Sequence, residues 1–180
     1  TLNRLELGTQ FSDRYRKIHV DPQQVEATVL KLGVRCLPKE KEVFMLDFDA
    51  TDDPLHGGQE GRFFHGYYGD YCYLPLFCFC GDVPLWAQLR TSDQDASSGT
   101  VEALEKIVTA IRERIPRAKI LVRADSGFSR DAIMAWCEGQ KEVDYLIGMA
   151  RNARLENLVA PAMQRAQARH CLTGVATPKT

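Results

Sequence analysis

From Val43 the chain reads VFMLDFDATDD, an apolar run that ends in a burst of carboxylates. Val43, Phe44, Met45, Leu46 and Phe48 have the aromatic and β-branched enrichment of a buried strand, while Asp47, Asp49, Asp52 and Asp53 crowd its C-terminal end. An ionised carboxylate must be solvated, paired or bound to a cation, because in bare apolar surroundings it neutralises instead. A strand that delivers acid to a sheet edge or cleft is one way to build a metal site for phosphate chemistry. A solvated acidic turn after a core strand has the same appearance. A glycine-rich loop containing His56 and His65 follows, and the remaining segments are placed by asking what the carboxylates face.

The length of 180 residues suits one domain or a piece of a larger protein. A hydrophobic content of 44% with 26% charged residues argues against disorder. No apolar run approaches the ~20 residues that span a bilayer, and TLNRLELG lacks the basic and apolar regions of a signal peptide. A cytoplasmic protein without a membrane partner is expected. The start on Thr1 suggests a chain cut from something longer. Net charge is −1, unevenly spread: residues 43–150 carry 10 Lys/Arg against 17 Asp/Glu, and residues 151–180 carry 5 against 1. An acidic centre beside basic ends fits a cation-loaded site with polyanion contacts around it.

In chain order, residues 1–42 read as a helical adaptor. Asp21 and Pro22 form an N-cap and first turn, Val25, Thr28, Val29 and Leu32 recur at helical spacing, and Gly33 reads as a stop. After the first strand, Phe63–Tyr68, Tyr71–Cys80 and Val83–Arg90 read as extended runs of an antiparallel meander, turned at Gly69–Asp70 and Gly81–Asp82. Pro75 and Pro84 point to edges or bulges. Cys72, Cys78 and Cys80 fall at even spacings, which puts them on one side of one strand as small hydrophobes; with no CxxC pair, zinc is not expected. Val101, Leu104, Ile107, Val108, Ile111 and Ile115 define an amphipathic helix that Pro116 ends. KILVRAD (119–125) is a buried strand that again stops on an Asp. A helix capped by Ser129 follows to Gly139, then a strand over Val143–Ala150 and a helix over Leu155–Arg169.

Three meandering strands followed by alternating helices and strands (β-β-β-α-β-α-β-α) is the order of an α/β ribonuclease-H-like mixed sheet. There the first and fourth strands lie parallel and adjacent, joined by a right-handed crossover through the 101–115 helix. Asp49 and Asp125 would then end neighbouring strands. The expected division is an adaptor over 1–42, an incomplete catalytic core over 43–170 and a tail over 171–180.

The stretches LDFDATDDPLHGGQEGRFFHGYYGDYCYLPLFCFCG, LRTSDQDASSGT, ILVRADSGFSRDAIMAWCE and DYLIGMARNARL together resemble the DDE transposases of bacterial insertion sequences, specifically the insertion-sequence 1380 family. The resemblance covers nearly all of residues 1–170. It implies that Asp49 and Asp125 are the first two catalytic acids, holding two Mg²⁺ ions (or Mn²⁺) for phosphodiester cleavage and strand transfer. Asp49 would bridge both ions and Asp125 would hold one. Asp47, one pleat away, is the rival first ligand, with Asp49 preferred. The implied partners are the element's terminal inverted repeats and target DNA, bound by a homodimer in a bacterial, nucleoid-associated setting. The family's third acid, a Glu, lies downstream on a helix beyond residue 180, so the chain is expected to be a truncated transposase with weak or no activity alone.

Among the remaining residues, Asp52 and Asp53 read as turn and cap residues before Pro54, and His56 and His65 as loop structure. Arg62, Arg123, Arg151 and Arg154 are candidate phosphate contacts. Tyr67, Tyr68 and Tyr71 read as strand packing. Two alternatives stand beside the transposase reading. DFDAT also matches the DxDxT signature of haloacid-dehalogenase-type phosphatases, with Asp47 as nucleophile and Asp49 as acid/base. A remnant that binds DNA without cutting it is the other.

Overall fold

The structure, a computed structural model, describes residues 21–58 and 61–174, so the helical reading of residues 1–20 and the end of the tail lie outside the described residues. The chain divides into two units, residues 1–148 and 149–180.

The first unit is built on a five-stranded mixed sheet of β1 (Val43–Ala50), β5 (Leu76–Cys80), β6 (Val83–Gln88), β7 (Lys119–Ala124) and β8 (Val143–Ile147), ordered β6-β5-β1-β7-β8. The middle strand, β1, pairs antiparallel with β5 and parallel with β7, the latter in register from Val43↔Lys119 to Phe48↔Ala124. β7 and β8 are also parallel. The α/β class and the parallel adjacency of β1 and β7 are as expected, and the mixed sheet is consistent with a ribonuclease-H-like fold.

Period-2 burial sets the faces of the sheet. Phe44, Leu46, Phe48, Leu76, Cys78, Ile120 and Val122 are buried and join one core with Leu104, Ile107, Val108 and Ile111 of α2 (Thr100–Arg114). Each such side chain contributes about 1.5–3 kcal/mol by leaving water. Pro116 lies just past the end of α2, whose last cap, Ile115, is followed by a turn. The alternate residues Asp47, Asp49 and Arg123 lie on the other face, which consequently carries charge.

Several expectations are corrected. α1 (Pro22–Cys36) starts as anticipated, with the Asp21 carboxylate accepting from Gln23 N at 3.0 Å, but it does not stop at Gly33. Gly33 is buried inside the helix, where a Cβ would lie 2.2 Å from the Pro84 carbonyl oxygen. Close approach to β6, not termination, is what requires glycine there. The buried face is therefore rotated onto Glu26, Gly33 and Val34, leaving Val25 and Leu32 exposed.

Tyr71–Cys80 is two strands, not one. β4 (Asp70–Tyr73) pairs with β2 (Asp53–Pro54) and β3 (Phe63–His65) in a separate three-stranded sheet, ordered β2-β4-β3. The break falls at Leu74 and Pro75, since proline cannot donate to a ladder. Cys72 thus shares no strand with Cys78 and Cys80, although all three are buried and free. Asp53 belongs to β2 rather than to a turn. Pro84 lies on the edge strand β6, opposite a register shift at Cys78/Phe79, as its chemistry anticipates.

The helix after β7, α3 (Asp131–Glu138), begins two residues late. Its N-cap is Arg130 without a side-chain cap, because Ser126–Phe128 forms a 3₁₀ turn capped by Asp125. The second unit consists, among the described residues, of α4 (Ala153–Thr173), capped by Asn152 and longer than expected. No helix among the described residues is long and apolar enough to cross a membrane.

Candidate active site

Asp49 occupies the penultimate position of β1, and Asp125 follows the last residue of β7. The final register pair of these parallel strands is Phe48↔Ala124, so the two aspartates stand one step further along, side by side. Adjacent strands lie about 5 Å apart. Both residues line one open cavity of about 450 Å³. Phe128, which also lines the cavity, packs its ring against that of the buried Phe48 with centroids 6.4 Å apart.

The carboxylates differ in their partners. Asp125 Oδ1 accepts from Gly127 N at 2.8 Å, which closes the 3₁₀ turn and fixes the side chain. Gly148 passes so close that an added Cβ would sit 3.2 Å from Ser126 N and 3.4 Å from the Asp125 carbonyl carbon. Among the described residues Asp49 makes no hydrogen bond or ion pair. Asp47 lies on the same face but is held by a bidentate pair with Arg123: Nε donates to Oδ1, and Nη2 donates to Oδ2 at 2.9 Å. The sequence registered Asp47 and Arg123 as separate candidates, a metal ligand and a phosphate contact, whereas the parallel register makes them neighbours. Their pairing raises the Arg123 pKa through the hydrogen bond and charge of Asp47.

Of the other arginines, Arg62 caps the Gly57 carbonyl and lies 4.8 Å from the Tyr71 ring centroid, away from the cavity lining. Arg151 and Arg154 belong to the second unit, both exposed. His56 is exposed in its loop, whereas His65 lines the cavity, with its ring 4.9 Å from that of Tyr68. Tyr67 and Tyr68 are not strand residues. They form the turn between β3 and β4, with Tyr67 86% exposed at the cavity wall. Burial, with the charges of Asp52 and Asp49, raises the Tyr68 pKa.

Three residues of the site were not identified from the sequence. Asp95 lines the cavity, and its carboxylate accepts from Ser97 N at 2.9 Å and from Arg130 Nη2 at 2.6 Å. The Ser97 hydroxyl, then Arg130, hold its pKa down at about 2. Arg90 is buried and donates from Nε to the Leu74 carbonyl at 2.8 Å, from Nη2 to that of Ala96 at 3.1 Å, and from Nη1 to that of Ser98. It thereby ties the break before β5 to the 91–99 linker, both of which contribute to the cavity lining. The D-x-S spacing of Asp95 and Ser97 is a legible turn signal; nothing local marks Arg90 or Arg130.

Asp49 and one oxygen of Asp125 are hard, unprotected donors of the kind a divalent cation takes. Among the described residues no group of three or more His, Cys, Asp or Glu is arranged to hold a metal ion. The family model described as "Transposase DDE domain group 1" matches residues 1–177. No curated protein matches the chain.

Proposed function

The chain belongs to the transposase DDE domain group 1 family, and on that premise we propose that it carries two of the acids of a metal-dependent DNA-cutting and strand-transferring site, Asp49 and Asp125. Family membership supports DNA transposition as the general function, with DNA as partner. The observation that carries the finer reading is the pair of carboxylates, neither in an ion pair among the described residues, ending adjacent parallel strands over one cavity.

Each residue then has a task that follows from its surroundings. Asp125 is oriented by Gly127 N and offers its second oxygen. Arg123 pairs with Asp47, the nearest like charge on the strand face of Asp49, and so leaves Asp49 free to take a cation. Arg130 likewise pairs with Asp95, so that of the three carboxylates lining the cavity two, Asp49 and Asp125, are without an ion-pair partner among the described residues. Mg²⁺ ions, or Mn²⁺ in their place, would supply Lewis acidity and an activated water for phosphodiester cleavage when bound to Asp49 and Asp125. With Asp95 held by Arg130, Asp49 and Asp125 are the two ligands on offer, and the 180-residue chain alone is expected to cut weakly or not at all. The motif resemblance supports an insertion-sequence 1380 element as source, acting at its terminal inverted repeats as a homodimer.

The phosphatase alternative finds no support. β1 is followed by the small sheet and then by antiparallel β5, where that fold needs a helix, and the nucleophile it requires, Asp47, is bound by Arg123. Mn²⁺ titration monitored by electron paramagnetic resonance tests the proposal. Asp49→Asn and Asp125→Asn should each weaken binding tenfold or more, with Asp47→Asn close to wild type. Loss of binding in Asp47→Asn alone would defeat it.

A further inference from the structure

The two ends of the parallel strands carry opposite charge. The aspartates stand at the C-terminal ends of β1 and β7; at the N-terminal ends of β7 and β8, the loops that follow α2 and α3 border a second, open cavity of about 460 Å³. Its charged lining is Arg112, Arg117, Lys119, Lys141 and Glu142, four cations against one carboxylate in a chain of net charge −1.

Local structure explains two of the four. Arg112 Nη2 donates to the Lys141 carbonyl, with that of Glu142 at 3.5 Å, and Lys119 Nζ meets the Glu142 carboxylate at 3.8 Å. Glu142 adopts φ 55°, a left-handed conformation uncommon outside glycine. Arg117 and Lys141 have no such account. Both lie past the ends of their helices, where the helix dipole has faded, and among the described residues neither side chain has a hydrogen-bond or ion-pair partner. Like charges gathered in one cleft repel, and the arrangement gains stability only when an anion with several charges enters.

We propose that this cleft is a separate binding site for the phosphodiester backbone of nucleic acid. The proposal rests on the reading of the chain as a DNA-processing protein. β7 spans six residues, so the cleft and the carboxylates lie roughly 20 Å apart. That distance is about six base pairs of duplex, and no single phosphate reaches both. The cleft therefore grips backbone well away from the bond being cut, or on a second duplex.

The test is binding of a fluorescein-labelled duplex to the 180-residue chain, followed by anisotropy over a range of NaCl concentrations. Arg117→Gln/Lys141→Gln should reduce the slope of log K against log [salt] by about two and weaken binding at 0.1 M salt by up to about sixty-fold. The control Lys31→Gln/Arg35→Gln removes two exposed cations from α1 and should leave the slope near wild type. Equal slopes in the wild type and the Arg117/Lys141 variant, an equal fall in both double variants, or no binding by the wild type would each overturn the proposal. The outcome is separable from that of the functional reading: a slope that falls as expected, with Mn²⁺ binding indifferent to Asp49 and Asp125, would sink the DNA-cutting site and leave the cleft standing.

Discussion

Replacing Gly33 by Ala sets helix propensity against packing, and the structure decides the sign. An Ala in a helix interior is better than Gly by about 1 kcal/mol, so sequence rules alone predict stabilisation. In the fold, the new Cβ would sit 2.2 Å from Pro84 O and 2.9 Å from Leu85 Cδ2. The first is backbone in a paired strand and cannot swing aside, so α1 must retreat by roughly 1 Å. A gap of that size forfeits a quarter to a half of each dispersion contact across it. Val34 and Leu37, which carry this end of α1 into the core, are worth about 1.5–3 kcal/mol each. A contact this short puts the overpacking cost in the upper part of the usual range, about 2–3 kcal/mol, leaving a net loss of about 1–2 kcal/mol after the propensity gain. For a chain of this size that lowers the thermal midpoint by roughly 2–8 °C, measurable by circular dichroism alongside urea denaturation. Ala27→Gly, at an exposed position of the same helix, makes the reverse change and should also destabilise, by about 1 kcal/mol from propensity alone. A Gly33→Ala protein as stable as wild type or more so would refute the close-approach argument.

Asp47→Asn should leave the unfolding midpoint nearly unchanged, because its pair with Arg123 is solvent-screened. If instead the chain hydrolyses a generic phosphoester and Asp47→Asn, but not Asp125→Asn, abolishes turnover, the phosphatase reading is restored. Asp95 has a folded-state pKa of about 2, below its ordinary value near 3.8, so its contribution is fully present above about pH 4 and is lost as the pH falls through 2. In acid-unfolding curves, Asp95→Asn should be less stable than wild type at pH 5 and converge on it near pH 2; a constant gap would contradict the assignment. Arg90→Met should cost about 2–4 kcal/mol in urea unfolding by stranding the carbonyls that the guanidinium serves. Arg90→Lys should recover little of that loss, since an ammonium cannot reproduce the planar fork.

The elements whose signal is a local period were legible in the sequence. α2 follows from the spacing of Leu104 through Ile115, the start of α1 from the Asp21–Pro22 cap, and the presence of β1 and β7 from their short apolar runs. Asp49 and Asp125 stood out because two apolar strands each end on an acid. The misread positions are those whose neighbours lie far along the chain. Gly33 has the same local look as a helix stop whether or not Pro84 lies against it, and Cys72 keeps even spacing with Cys78 although Pro75 sends it into another sheet. Tyr67 scores as a strand residue until the turn exposes it. In the site, sequence supplied Asp47, Asp49 and Asp125, but only tertiary structure chose among them: the parallel register sets Arg123 beside Asp47 and leaves Asp49 unpaired among the described residues, and the fold of the 91–99 linker brings Asp95 to Arg130. Local propensity and period arise from interactions within a few residues and are written in composition and spacing. The charge state and freedom of a side chain depend on what stands within about 4 Å of it in space, which is decided when the chain closes on itself.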